Sequence, residues 1–206
     1  MELKGKIALG FRAHSGWAAM VAVANEASNP VVLRRDRIEL VERAIPRSWQ
    51  PYHAAAEMEL ADAGRFLKSC AAVAKRMAQA ALRQTLADLR DQGYEALGCG
   101  LLLGGGRPST DLAKTLASHP AIHTAEGEFF RNAVKAGAEA CGLPVTGIKE
   151  SELFAEGADR FGIPESELLN RVTVMGKSVG PPWTLDQKHS TLAAWLVIAA
   201  CGNSSL

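Results

Sequence analysis

The sequence predicts an α/β fold, a mixed β-sheet with helices on both faces. Three observations carry this. Three short apolar runs lie between residues 6 and 41, divided by turn-forming residues, the pattern of an antiparallel meander. A long stretch with apolar residues at helical period follows. Apolar strand-like runs then alternate with helix-like segments, as α/β crossovers do.

Lys6 to Phe11 reads as the first strand, and Arg12-Ala13-His14-Ser15-Gly16 as the turn after it. Trp17 to Ala24 is the second strand, Asn25 to Pro30 a turn-rich connection, and Val31 to Val41 the third strand. Residues 45 to 52 form a loop with two prolines. From about His53 to Gln92 the residues Leu60, Leu67, Ala71, Ala74, Ala78, Ala81, Leu82 and Leu89 mark one apolar face of a long helix. Its alanines let it approach a sheet closely; the alternative is an exposed arm that pairs with a second chain. Gly93 stops the helix, and Ala96 to Leu103 is a central strand, apolar on both faces. Gly104-Gly105-Gly106 ends that strand. A short helix is expected from Ser109 as N-cap, broken by His119-Pro120, and a further helix capped by Thr124 runs to about Cys141. Leu143 to Ile148 is the fifth strand. Ser151 to Phe161 and Pro164 to Arg171 are short helices, Val172 to Trp183 is irregular, and Asp186 to Ala200 is the last helix.

The chain has 206 residues, which fits one domain over 1–206, with 48% hydrophobic and 22% charged residues. The formal net charge is +1, so the basic excess of a dedicated nucleic-acid binder is missing. The cysteines Cys70, Cys99, Cys141 and Cys201 are scattered in apolar or alanine-rich stretches, which suits small core filler rather than a zinc site. Reduced thiols and a start that leads directly into a strand point to a cytoplasmic chain without a signal peptide. The most apolar window, Leu192 to Cys201, is too short to span a bilayer, so no membrane partner is expected. Trp17 and Trp195 read as core, while Trp49 and Trp183 sit in proline-containing loops.

Two segments carry a family resemblance. Leu9-Gly10-Phe11-Arg12-Ala13-His14-Ser15-Gly16-Trp17-Ala18 is similar to the first hairpin of the ribonuclease-H-like superfamily, Gly-Ile-Asp-Pro-Gly followed by Gly-Trp/Tyr-Ala. Asp186-Gln187-Lys188-His189-Ser190-Thr191-Leu192-Ala193 resembles its final helix, where acidic or His/Asp residues three apart precede an Ala-Leu-Ala run. The element order resembles the RuvC-type Holliday-junction resolvases most. The resemblance implies two divalent cations, Mg²⁺ or Mn²⁺, held by acids from the first strand, the central strand and the last helix. Here Arg12 aligns with the first-strand Asp, the central strand over 98–104 has no acid, and only Asp186 and His189 remain. The two-metal nuclease site is therefore not expected, and no residue is assigned as a metal ligand.

Four groups remain as candidate sites. The first hairpin offers Arg12, His14 and Ser15 to an anion, as the phosphate-binding hairpin of actin-like ATPases does. Arg107 after the glycine triplet is a second anion contact, although no nucleotide-binding fingerprint is present. His119, His123, Glu126 and Glu128 are the densest ionisable stretch, and a His with a Glu can do acid–base work or bind a transition metal. Asp186 and His189 lie one turn apart on the last helix. As catalytic residues of a remodelled site the candidates are His14, His123, Glu126, Asp186 and His189.

Three functions follow. The first is a ribonuclease-H-like protein without two-metal nuclease activity, acting in binding or assembly. The second is an enzyme with a remodelled His/Glu/Asp site for a phosphate-containing substrate or nucleic acid. The third is an actin-like nucleotide-binding module. A homodimer is the default oligomer.

Overall fold

The computed structural model describes residues 3–26 and 29–202. One five-stranded sheet has the order β3-β2-β1-β4-β5. Strands β1 (Gly5–His14), β2 (Trp17–Glu26) and β3 (Asn29–Glu39) form the expected antiparallel meander. The middle of the turn between β2 and β3 lies outside the described residues. Strands β4 (Tyr94–Leu103) and β5 (Val145–Lys149) add in parallel beside β1, so the sheet is mixed.

Period-two alternation sends successive side chains to opposite layers. Ile7, Leu9 and Phe11 pack with Met20, Ala22, Cys99 and Leu101 under α2 (Leu60–Asp91) and α4 (His119–Glu139). Ala8, Val21, Val23 and Leu102 pack on the opposite face with the last helix, α7 (Leu185–Gly202), and with α5 (Leu153–Phe161) and α6 (Glu165–Met175). Burial on both faces explains the continuous apolar runs of β1, β2 and β4.

Two glycines set the depth of α7. Gly10 and Gly100 are lateral partners in β1 and β4. A Cβ at Gly10 would lie 1.7 Å from the Ser190 carbonyl oxygen, and one at Gly100 would lie 2.6 Å from that of Ala193. The helix backbone therefore rests directly on the sheet. That contact brings the N-terminal turn of α7 to the carboxyl ends of the parallel strands.

Several boundaries depart from expectation. The helical stretch after residue 50 is two helices, α1 (Pro51–Ala55) and α2, with residues 56–59 between them. The long helix is not an exposed arm: Leu67, Ala74, Ala78, Leu82 and Leu89 are buried, and a Cβ at Gly137 of α4 would lie 2.7 Å from Ala78 Cβ. Asp111, not Ser109, caps the short α3 (Leu112–Leu116), its carboxylate accepting from Lys114 N at 3.1 Å; the Ser109 hydroxyl instead accepts from Asp111 N. His119-Pro120 starts α4 rather than breaking a helix, because a first-turn proline has no hydrogen bond to lose. Thr124 is then interior, its hydroxyl donating to the Pro120 carbonyl. Helix α6 continues to Met175, and a 3₁₀ turn over Gly176–Ser178 occupies part of the stretch read as irregular.

Of the cysteines, Cys70 and Cys99 are buried, Cys141 is half-buried and Cys201 is exposed. Trp195 is buried and stacks on Phe161, and Trp183 packs over Gly176 while donating to the Val172 carbonyl. Trp49 stands out in solvent.

Candidate functional site

The carboxyl ends of β1 and β5 and the first turn of α7 meet in one charge cluster centred on Arg12. Alternation along β1 puts Arg12 on the face of Ala8 and Gly10, the α7 side. Its Nε donates to Glu150 Oε1 at 2.9 Å, and Nη2 lies 2.7 Å from the same oxygen. Its Nη1 donates to Asp186 Oδ1. Glu150 directly follows β5, where its backbone N–H donates to the Leu103 carbonyl and so continues the ladder by one residue. Arg12 thus reaches past the end of β4 to an acid two strands away.

Two histidines complete the cluster. His14 Nε2 is 2.9 Å from Asp186 Oδ1, and His189 Nδ1 is 3.2 Å from Glu150 Oε1. The expected bond between Asp186 and His189 is therefore not made; each pairs across elements instead. The His14 ring stacks on Trp17, its cross-strand neighbour, with centroids 4.3 Å apart. The Arg37 guanidinium lies over the same indole at 4.0 Å. The stack holds His14 against Asp186.

The electrostatics follow from partial burial. Burial alone would lower the Arg12 pKa, but Glu150 and Asp186 outweigh it and hold the guanidinium above its ordinary value. Burial pushes the Asp186 carboxyl up, and hydrogen bonds and charge from Arg12 and His14 push it further down, for a net depression. His189 is lowered chiefly by burial, against the opposing pull of Glu150. Asp186 is therefore ionised at neutral pH, paired with Arg12.

The other candidates lie elsewhere. Ser15 and Gly16 form the two-residue turn of the first hairpin, with Gly16 at φ 80° and Ser15 exposed. Arg107 is exposed between β4 and α3 and has no hydrogen-bond or ion-pair partner among the described residues. The glycine triplet before it is partly occupied by packing: a Cβ at Gly104 would lie 3.1 Å from the Arg131 guanidinium, and one at Gly106 would lie 2.6 Å from Thr124 Cγ2.

His123 and Glu126 sit on α4, apart from the elements that hold Arg12, so the five candidate catalytic residues fall into two groups. Glu126 lies in the interior of α4. It is buried, accepts from Tyr52 N at 3.1 Å, and meets His53 Nδ1 at 3.1 Å. Burial raises its pKa, opposed by His53. The sequence reading missed His53 and Glu150. Glu150 had one signal, an acid at the carboxyl end of a predicted parallel strand; His53 had none, since its partner lies 73 positions away.

No family model and no curated protein matches the sequence. Solved structures do match. A Thermus thermophilus RuvC structure aligns with TM-score 0.56 at 13% identity, covering 95% of this chain and 96% of that one. T. thermophilus RuvC in complex with a Holliday junction substrate aligns with TM-score 0.55 at 12% identity, covering 97% and 96%. This is the ribonuclease-H-like fold. At these identities the RuvC likeness concerns the fold and carries no residue roles. No helix among the described residues is long and apolar enough to cross a membrane.

Proposed function

We propose that this chain works as a single ribonuclease-H-like domain that binds or assembles with a partner and does not cleave phosphodiesters by a two-metal mechanism. The observation that carries the reading is Arg12 seated between Glu150 and Asp186. A two-metal centre needs carboxylate oxygens turned towards shared cations. Here one oxygen of Glu150 is taken by Arg12 and His189, and one oxygen of Asp186 by Arg12 and His14. The adjoining carboxyl end of β4, over 98–103, is Gly-Cys-Gly-Leu-Leu-Leu and adds no oxygen ligand. A divalent cation would have to share both acids with a guanidinium already seated between them. The donor set does not fit the metals that the fold family implies, and Mg²⁺ or Mn²⁺ has no step here.

The same geometry speaks against Arg12 as an anion contact, since Nε, Nη1 and Nη2 each already face a carboxylate. Branched DNA is the first partner to test, because a protein of this fold is solved with a Holliday junction. The net charge of +1 gives it no global electrostatic support.

The test is cleavage of labelled four-way junction, duplex and single-stranded DNA with Mg²⁺ or Mn²⁺, beside binding of the same substrates in EDTA. The expected result is no cleavage of any of them. Metal-dependent cleavage that Asp186→Asn abolishes would overturn the proposal.

A further inference from the structure

Three histidines from two helices converge on the other side of the sheet. His53 comes from α1; His119 and His123 stand one turn apart on α4. All three pairs of rings are in edge contact, with centroids 5.7, 4.9 and 4.4 Å apart. One nitrogen from each ring lies within 4.8 Å of those of the other two. Neither His119 nor His123 has a hydrogen-bond partner among the described residues. Each neutral imidazole has a lone-pair nitrogen, and edge contact between the rings does not by itself use it. A shared cation satisfies all three.

The surroundings complete the pattern. His53 Nδ1 meets Glu126 Oε2, and against an ionised Glu126, which can only accept, Nδ1 carries the hydrogen and the lone pair of His53 lies on Nε2. The Glu126 carboxylate is 3% exposed and held by Tyr52 N, while its second oxygen is buried without a hydrogen-bond partner. A buried carboxylate that fixes the tautomer of a histidine is the usual outer support of a histidine-bound metal.

We propose that His53, His119 and His123 bind a divalent transition-metal ion of the zinc type, with Glu126 positioning His53. Nitrogen ligands select zinc, cobalt, nickel or copper over magnesium. Tetrahedral zinc with Zn–N bonds of about 2.0–2.1 Å places its nitrogens about 3.3 Å apart. The rings must therefore close by roughly 1.5 Å at most, and His119 and His123, both exposed, have the side-chain freedom to do so. Three protein ligands leave the fourth position to water or an incoming donor. The bound ion would also tie α1 to the N-terminal turns of α4.

The test uses the full chain, stripped with a chelator at neutral pH. Zn²⁺ is titrated in competition with a chromophoric chelator, Co²⁺ is followed by its visible ligand-field bands, and Mg²⁺ is the control. The expected result is saturation at one equivalent of Zn²⁺, four- or five-coordinate Co²⁺ bands, and no Mg²⁺ binding. His119→Ala and His123→Ala change exposed side chains, so both should fold, and each should weaken Zn²⁺ by about a hundredfold or more. Glu126→Gln should weaken it by about 10–100-fold, as loss of an outer-shell partner does. Absence of one-equivalent Zn²⁺ binding, or binding that persists in the His119→Ala/His123→Ala double variant, would overturn the proposal.

Discussion

Arg12→Ala removes the one cation that holds Glu150 and Asp186 together. The side chains are only partly exposed, at 22% for Arg12, 34% for Glu150 and 20% for Asp186. The pairing therefore falls between a solvated ion pair, worth about 0–1 kcal/mol, and a buried one, whose rupture costs about 3–5 kcal/mol. Two charge-assisted contacts with this exposure give about 2–3 kcal/mol. For a chain of this size that lowers Tm by about 4–12 °C. The exposed pair Arg171–Glu167, at 49% and 45%, is the comparison, and Arg171→Ala should cost no more than about 0.5 kcal/mol. The two acids freed by Arg12→Ala are then oxygen donors without a cation. Thermal unfolding with and without Mg²⁺ should show the variant regaining stability, by about 2.7 kcal/mol at one hundred times the dissociation constant. The original chain should show no such gain. A loss no larger than that of Arg171→Ala, or an equal Mg²⁺ response in both chains, would refute the reasoning.

Three further outcomes follow from the same structure. Gly10→Ala should destabilise by about 3 kcal/mol or more in chemical denaturation, because its Cβ would meet the Ser190 carbonyl oxygen at 1.7 Å, whereas Gly105→Ala, with nothing within 4 Å, should be near neutral. Stability should fall on acidification in two stages: His189 has a depressed folded pKa, so below its unfolded value of about 6.5 the unfolded chain takes up the proton first. Asp186, also depressed, then loses its contribution below about pH 4, and His189→Gln should flatten the upper stage of a Tm-against-pH curve while leaving the lower one. Burial pushes the Cys99 thiol up to about 12, so a maleimide should label exposed Cys201 in the native protein and reach Cys99 only on unfolding.

The fold was legible because its signals are local. Strands β1, β2 and β4 are apolar runs bounded by turn residues, and α2 shows its helical period along most of its length. The errors lie where one residue type serves two purposes. Pro120 reads as a breaker in isolation, but it opens α4 because the extended backbone of the N-cap Ser118 places it in the first helical turn. His53 reads as the start of the long helix, but α1 ends at Ala55 and a new helix begins at Leu60. The site was legible only in its members. Arg12, His14, Asp186 and His189 were named, but their pairing was not: Glu150, which engages Arg12 and His189, is brought in by β4–β5 register, and register is a property of the sheet. The link from Glu126 to His53 is likewise a contact between α1 and α4, invisible to spacing along one helix.

The two ionisable clusters differ in a way that separates their tests. At the sheet end the donors are carboxylate oxygens, suited to a hard cation, and the chain supplies its own cation in Arg12. At α1 and α4 the donors are imidazole nitrogens, suited to a borderline cation, and the chain supplies none. Mg²⁺ should therefore stabilise the Arg12→Ala variant and leave the original chain unmoved. Zn²⁺ should stabilise the original chain and Arg12→Ala alike, and lose its effect in His119→Ala. Crossing the two metals with the original chain and the two variants gives a set of thermal shifts, each set by ligand hardness and by which donors are already paired. A Zn²⁺ response that survives His119→Ala unchanged would take the metal away from α1 and α4 and defeat that assignment, and one that also grows in Arg12→Ala would place it at the sheet end.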